Sequence, residues 1–152
     1  MIALVGFVAL VAAAAVSAAQ FQPGAWYAAL AKPAWTPPNW LFAPVWTALY
    51  LAIAVAGWLV WRRSPRRPNP ALLLWIAQLG LNAAWSWLFF GLHRPDLAFV
   101  DILALLAAIG AFMLIARRLS RAAAGLFVPY ALWVAFAAAL NFAVWRLNAG
   151  GI

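Results

Sequence analysis

The chain has 152 residues, of which 70% are hydrophobic and 8% charged, and its mean hydropathy is +0.98. Soluble domains carry charge on about a quarter of their residues, so this composition places the chain in a lipid bilayer. With two acidic residues, one histidine and no cysteine, it cannot supply a carboxylate pair of ordinary separation, a thiolate nucleophile or a zinc cage. Most familiar enzyme classes and a metal site are therefore not expected. The net charge of +8 would suggest nucleic acid in a soluble protein, but we interpret the arginines as topology signals and expect no nucleic-acid partner.

Five stretches are long and apolar enough to cross a bilayer as helices, which need roughly 20 residues each. They cover about 2–19, 41–61, 71–90, 97–116 and 125–145, and the long first connection is 20–40. The period-2 alternation typical of a transmembrane barrel is absent. The sequence therefore predicts an all-α integral membrane protein, with a single domain over 1–152 built as a bundle of five transmembrane helices.

The first stretch has a second interpretation, as a signal peptide. Ile2–Val16 followed by Ser17-Ala18-Ala19 resembles an apolar core with a small-residue cleavage site. Because no Lys or Arg precedes it, a retained first helix is the preferred prediction.

The basic residues are divided unequally between the two sides of the bundle. Alternating connections put seven on the side of the N-terminus: Arg62, Arg63, Arg66, Arg67, Arg117, Arg118 and Arg121. The other side holds Lys32, Arg94 and Arg146. Since Lys and Arg concentrate in cytoplasmic loops, we expect a cytoplasmic N-terminus and an external first loop and C-terminus.

Seven of the 11 tryptophans fall into two groups that differ in their depth within the predicted spans. Four lie at the ends of predicted helices and are expected to anchor the bundle at the lipid headgroups: Trp58, Trp61, Trp75 and Trp145. Trp85, Trp87 and Trp133 lie farther inside predicted spans, where lipid offers the indole N–H no partner. An interfacial belt does not explain this second group.

Three residue pairs share a helix face at one depth in the outer leaflet: Trp46 with Tyr50, Asn82 with Trp85, and Trp133 with Asn141. An amide in hydrocarbon should face protein rather than lipid, so the asparagines are expected to point inward with their aromatic neighbours. One interpretation is an aromatic-lined cavity, open or lidded on the external side. The alternative is that these residues only join neighbouring helices.

The connection 20–40 carries Trp26, Tyr27, Trp35 and Trp40 among four prolines. Prolines fix φ and lower the entropy cost of ordering a loop. The segment could therefore fold as a lid over the external mouth. The alternative is an interfacial skirt lying in the headgroups.

The two acidic residues and the histidine are expected to have structural rather than catalytic or metal-binding roles. Asp96 begins the fourth span, where its negative charge suits the helix dipole. Asp101 lies about one turn into that span and is expected to be hydrated or paired with Arg94 or Lys32, with a proton or cation relay as the alternative. His93 alone is not a metal site.

Small residues recur at four-residue spacing in the later spans, including Gly80 with Ala84 and the series Ala135, Ala139 and Ala143. Such spacing permits close helix contact. It fits either a dimer seam or packing within one bundle, and the sequence does not separate the two.

A set of short motifs runs through essentially the whole chain. It comprises Trp26-Tyr27, Lys32-Pro33-Ala34-Trp35-Thr36-Pro37-Pro38, Trp46, Tyr50, Ala77-Gln78-Leu79, Asn82, Trp85-Ser86, Phe89-Phe90, Pro129-Tyr130, Trp133, Leu140-Asn141, Trp145-Arg146 and Asn148. Together these motifs resemble the TspO/translocator-protein family, also known as tryptophan-rich sensory proteins or peripheral-type benzodiazepine receptors. Each motif is weak alone, and their joint occurrence makes the resemblance specific. We expect a bacterial member in a cell membrane.

The resemblance implies a homodimer of five-helix bundles that binds porphyrins and benzodiazepine- or isoquinoline-type ligands beneath the first loop. It implies no required cofactor, with protoporphyrin IX as a ligand. The implied ligand-lining residues are Trp26, Tyr27, Trp35, Trp46, Tyr50, Asn82, Trp85, Trp133 and Asn141. Trp46 and Trp133 match tryptophans linked to light-dependent porphyrin breakdown. The family's sterol-recognition motif has a tyrosine where this chain has Phe142, so sterol binding is doubtful.

Three functions follow as hypotheses. The preferred one is a membrane receptor or sensor for porphyrin-type tetrapyrroles. The second is an enzyme that degrades the bound porphyrin; lacking a general acid–base pair, it would borrow its reactivity from the photoexcited pigment. The third, a transporter of porphyrin- or sterol-like molecules, is disfavoured because no internal repeat is visible. A scaffold without a ligand is the alternative to all three.

Overall fold

The computed structural model describes residues 2–65 and 69–150, and over these ranges the regular structure is entirely helical. Arg66 and Arg67, two of the seven arginines assigned to the N-terminal side, lie outside the described residues. The helices are α1 (Ile2–Ala19), α2 (Ala25–Ala29), α3 (Phe42–Arg63), α4 (Pro70–Ser86), α5 (Pro95–Leu119), α6 (Arg121–Leu126) and α7 (Val128–Asn148). A 3-10 turn, Asn39–Leu41, leads into α3, and a π turn, Trp87–Gly91, continues α4.

Local sequence explains where several helices begin. Asn69 caps α4, its side-chain Oδ1 accepting from the Ala71 N–H at 2.8 Å, and Pro70 follows at the first helical position. Ser120 separates α5 from α6 and caps the latter by accepting from the Ala123 N–H at 3.2 Å. Pro95 suits the first position of α5. A backbone N–H at this position has no intrahelical partner, so the proline, which lacks an N–H, loses no hydrogen bond.

Five segments of the described chain are long and apolar enough to cross a membrane. They are α1, the 3-10 turn with α3, α4 with its π turn, α5, and α6 with α7. The predicted fold class, an all-α integral membrane bundle of five spans, is confirmed.

The spans form a closed ring. The helix α1 packs against α3 and α4, α4 packs against α5, and α5 packs against α7. Contacts of α3 with α6 and of Trp46 with Tyr130, whose ring centroids are 6.3 Å apart, close the ring. The core is densest toward the ends of α3 and α5 that carry arginine, where Phe112 and Phe127 are fully buried with ring centroids 4.0 Å apart. We call that end of the bundle the arginine end, defined by Arg62, Arg63, Arg117, Arg118 and Arg121.

Trp75 does not lie at a lipid interface, so the prediction that it anchors the bundle there is wrong. It is 1% exposed, packs edge-on against Phe7 at 4.9 Å, and donates its indole N–H to the Ile53 carbonyl at 2.8 Å. The neighbouring helix makes room for it at Gly57, where an added Cβ would lie 2.5 Å from the Trp75 ring. Position near a helix end therefore did not determine burial.

Trp87 faces outward and is 45% exposed, whereas Trp85 is only partly exposed and faces the bundle. Two residues at about 100° per residue point to nearly opposite sides of a helix, so the two tryptophans could not share an inward face.

The expected pairing of Asp101 with Arg94 or Lys32 is wrong. Arg94 forms a bidentate pair with Asp96, with a shortest N···O distance of 2.6 Å. This hydrogen bond raises the pKa of Arg94. The Lys32 ammonium instead donates to the Leu30 carbonyl at 2.9 Å. Oδ2 of Asp101 is buried and has no hydrogen-bond partner. Both cations are satisfied locally, which is why neither reaches Asp101.

Candidate functional site

A cavity of about 350 Å³ lies between the helices near the end of the bundle opposite the arginine end. We call it the aromatic cavity. The first connection contributes Phe21, Gln22 and Pro23, next to Ala15, Ala18 and Ala19 of α1. The other lining residues come from four helices and the π turn: Phe42, Ala43, Trp46, Tyr50, Asn82, Trp85, Ser86, Phe90, Ile102, Leu105, Trp133, Val134 and Ala137.

Aromatic rings from α3 and α7 meet across this cavity. The Trp46 and Tyr50 rings, one turn apart on α3, have centroids 5.2 Å apart. Phe42 meets Trp133 of α7 edge-on at 5.7 Å. These contacts hold flat apolar surfaces in fixed positions, as a site for a planar ligand requires.

A chain of hydrogen bonds runs from the cavity wall into the core. The Tyr50 hydroxyl donates to Oδ1 of Asn82 at 3.0 Å, and Nδ2 of Asn82 donates to the Tyr130 hydroxyl at 3.2 Å. The Tyr130 hydroxyl in turn donates to Oε1 of Gln78 at 2.9 Å. Since a buried polar group needs a partner, this chain links α3, α4 and α7 at the depth of the cavity.

The Trp85 indole is held from behind by Asn141. Its N–H donates to Oδ1 of Asn141 at 3.0 Å, while Nδ2 of Asn141 donates to the Pro95 carbonyl at 2.8 Å. The Trp85 ring also stacks on Phe89 at 5.0 Å. Asn141 is 2% exposed and lies outside the cavity lining. It therefore orients a lining residue and joins α7 to the end of α4 and the start of α5.

Three aromatic residues of the first connection, Trp26, Tyr27 and Trp35, pack against the segment that follows α4 and against α7. Trp26 stacks on His93 at 4.3 Å, and Tyr27 meets Phe90 edge-on at 5.5 Å. Burial raises the pKa of the Tyr27 hydroxyl. Trp35, which is 49% exposed, meets Phe136 at 5.7 Å.

Asn148 fastens the connection to the end of α7. Its Oδ1 accepts from the Ala31 N–H at 3.0 Å, and its Nδ2 donates to the Ala31 carbonyl at 2.9 Å. A second bond from Nδ2 to the Val144 carbonyl, at 2.7 Å, fixes the side chain on its own helix. The connection is thus tied across the cavity end of the bundle by one asparagine.

Of the nine residues expected to line a pocket, five line the aromatic cavity: Trp46, Tyr50, Asn82, Trp85 and Trp133. Four lie elsewhere: Trp26 and Tyr27 pack on the segment that follows α4, Trp35 packs on Phe136 within α7, and Asn141 lies behind Trp85.

Sequence reasoning missed the wall that α1 contributes. Ala15, Ala18 and Ala19 have the spacing of one helix face, which was the available signal. Phe21 and Gln22 carried no signal, because they belong to neither a helix pattern nor a motif.

The described residues contain no group of three or more His, Cys, Asp or Glu side chains placed to hold a metal ion. The lining of the aromatic cavity includes no charged side chain within the described ranges. What this site can do chemically is stack on a ligand, exclude water from it and offer a few hydroxyl and amide groups.

Five helices long and apolar enough to span a membrane, arranged around an aromatic cavity, define a small integral membrane protein with an internal cavity. The model of the TspO/MBR family matches residues 1–146. The chain is 44% identical over 124 residues to the tryptophan-rich protein TspO of Archaeoglobus fulgidus, covering 82% of this chain and 80% of that protein. It is 41% identical over 128 residues to the translocator protein of Homo sapiens, covering 82% of this chain and 76% of that protein. It is 36% identical over 142 residues to the tryptophan-rich sensory protein of Cereibacter sphaeroides, covering 93% of this chain and 89% of that protein. The chain belongs to the TspO/MBR family, as its motifs indicated.

Proposed function

We propose that this protein is a membrane receptor or sensor that binds porphyrin-type tetrapyrroles, and also benzodiazepine- or isoquinoline-type ligands, in the aromatic cavity. The observation that carries this proposal is a cavity of about 350 Å³ walled by Trp46, Tyr50, Trp85 and Trp133. Planar conjugated ligands gain most from such walls, because aromatic faces and edges pack on them. A relative named as a tryptophan-rich sensory protein, at 36% identity, supports a role as a receptor or sensor.

The charge distribution suggests how a porphyrin would lie. None of the described lining residues is charged, so the propionate groups of protoporphyrin would remain at the mouth rather than enter the cavity. The cations near that end that have no acidic partner among the described residues are Lys32, on the first connection, and Arg146, in the last turn of α7. Either could meet a propionate by a charge-assisted hydrogen bond.

The test is a titration of the detergent-purified protein with protoporphyrin IX in the dark, followed by porphyrin absorbance. Saturable binding is expected, and Trp46→Ala with Trp133→Ala should weaken it about tenfold by removing two ring contacts. The matched control is Trp58→Ala with Trp145→Ala, which removes two tryptophans outside the lining. Non-saturating uptake, or equal affinity in the two double variants, would refute binding in this cavity.

The dimethyl ester of protoporphyrin separates the roles of ring and propionates. With an uncharged cavity, the ester is expected to bind within a few-fold of the free acid. A much larger loss would place the main recognition at the cationic mouth instead.

A second candidate function is light-dependent porphyrin breakdown, favoured by the placement of both Trp46 and Trp133 in the same cavity wall. A tryptophan beside an excited pigment can donate an electron to it, and the pigment supplies the reactivity. Illumination of the complex should yield a new product in the wild-type protein and much less in Trp46→Phe/Trp133→Phe. Equal product in both proteins would count against this function.

We also propose a homodimer. The face of α4 that carries Gly80 is exposed, and a Cβ added at Gly80 would meet nothing within 4 Å. A second copy could approach closely there, as small residues allow in membrane bundles. Single-molecule photobleaching in vesicles should show pairs, and Gly80→Leu should shift them to single copies.

The orientation is proposed from the same charges that define the arginine end. Five described arginines lie there, whereas Lys32, Arg94 and Arg146 lie at the cavity end. The positive-inside rule then places the N-terminus in the cytoplasm and the C-terminus outside the cell membrane.

A further inference from the structure

An open groove of about 430 Å³ lies at the arginine end, away from the aromatic cavity. One wall is a single face of α5, formed by Gly110, Met113, Leu114 and Arg117 at helical spacing. The other wall is the start of the last span, with Ala124 and Gly125 of α6. We call it the α5–α6 groove.

The groove faces outward and is not filled by the protein's own side chains. A Cβ added at Gly110 or at Gly125 would meet nothing within 4 Å. Leu114, on its edge, is 58% exposed. The two glycines thus leave a channel on the lipid-facing surface of the bundle.

The groove runs from the membrane surface into hydrocarbon depth. Gly110 and Arg117 are seven residues apart, about 10 Å along the helix. One leaflet of hydrocarbon is roughly 15 Å thick, so the channel crosses much of the leaflet beneath Arg117. It is apolar except at the end where Arg117 lies.

Within the ranges that the structure describes, the positive charge at that end has no acidic partner. Arg118 and Arg121 are exposed close to Arg117 in the chain. The chain's two acidic residues, Asp96 and Asp101, lie toward the other end of α5, the nearer one about 24 Å from Arg117 by helix rise. A cationic group over an apolar channel matches a molecule that carries an anion above a hydrocarbon chain.

We propose that the α5–α6 groove binds one anionic phospholipid, with an acyl chain between Gly110 and Gly125 and the headgroup phosphate on Arg117. A second copy of the chain fits the groove less well. A twofold contact would set this arginine cluster against itself, with no carboxylate at this end to offset the repulsion. A soluble acidic peptide would leave the apolar channel unfilled.

The test uses delipidated protein in detergent, given equal amounts of phosphatidylglycerol and phosphatidylcholine with the same acyl chains. Native mass spectrometry then counts the lipids that stay bound. Preferential retention of one phosphatidylglycerol is expected. Arg117→Gln should reduce its retention about fivefold, the effect of one cation at a membrane surface, while Arg118→Gln should retain it as the wild type does.

A second pair of variants tests the channel separately from the charge. Gly125→Leu should fill the groove without a clash and reduce retention, because its Cβ enters open space. Gly6→Leu, at an equally open glycine of α1, is the matched control and should change nothing. If Gly125→Leu does not fold, Gly110→Leu fills the channel from the opposite wall.

Three results would overturn the proposal. Equal retention of the two lipids would show that the headgroup is not recognised. Equal losses in Arg117→Gln and Arg118→Gln would show that the lipid follows net charge rather than the groove. Displacement by soluble glycerol phosphate at the same concentration would identify a site for free phosphate rather than for lipid.

Discussion

Replacing Asn141 should uncouple the Trp85 indole from the bundle. Asn141→Leu keeps the size of the side chain but removes both the acceptor for the Trp85 N–H and the donor to the Pro95 carbonyl. Hydrogen bonds between membrane helices contribute about 0.6 kcal/mol on average. Leaving a buried carbonyl unpaired costs roughly 1–3 kcal/mol more. Together these values predict a loss of about 2 kcal/mol in the free energy of unfolding.

The assay is equilibrium unfolding in mixed micelles, carried out as a double-mutant cycle with Trp85→Phe. Phenylalanine keeps a ring on the cavity wall but has no N–H, so Trp85→Phe alone should cost about 1 kcal/mol. If the bond is present, the double variant should be more stable than the sum of the two losses predicts, by about 1 kcal/mol. Strict additivity would refute the argument that Asn141 holds Trp85.

Three further predictions concern packing, orientation and the first connection. Gly57→Ala should lower stability by about 1–3 kcal/mol, because its Cβ would lie 2.5 Å from the Trp75 ring; thermal unfolding measures this, and unchanged stability would contradict it. Since the natural chain has no cysteine, Gln22→Cys and Arg118→Cys each give a single label site, and a membrane-impermeant maleimide outside the cell should label only the first. Asn148→Ala should speed amide hydrogen exchange in the first connection, because it removes both hydrogen bonds to Ala31. Unaltered exchange would mean that these two bonds do not restrain the connection.

The fold was predictable because the bilayer leaves few choices. A span must satisfy its own backbone, so five long apolar stretches could only be helices once the barrel pattern was absent. The same constraint placed Asn82 and Trp133 correctly inside, since neither an amide nor an indole N–H finds a partner in lipid.

Burial of individual tryptophans was less predictable, because it depends on the neighbouring helix. Trp75 is buried since Gly57 of α3 leaves space for its ring, and no property of α4 alone indicates this. The failure at Asp101 has a similar cause. Arg94 was assigned to it by proximity in the chain, but Asp96 lies closer and accepts from both Nε and Nη2 of the guanidinium.

Family motifs and cavity lining diverge for a physical reason. A residue can be essential to a site by holding another in place, and Asn141 does this with an amide that accepts from Trp85 and donates to Pro95. Trp26 similarly packs on His93 and Phe89, outside the cavity but above its wall. Motif residues therefore mark the whole assembly of the cavity end rather than its inner surface alone.

Several polar groups at the aromatic cavity are already hydrogen-bonded to other residues of the protein, and this limits the selectivity that the site can have. Both ends of the Asn82 amide are bound, to Tyr50 and Tyr130, and the Trp85 N–H is bound to Asn141. A ligand could bind these polar groups only by breaking their existing hydrogen bonds. In a water-poor site, the free energy lost by leaving a partner unpaired exceeds that gained from the new bond. Recognition must then depend mainly on shape and on contact with flat aromatic surfaces. A cavity of this kind accepts planar ligands of unlike chemistry, so binding of both tetrapyrroles and smaller fused-ring compounds would need no separate sites.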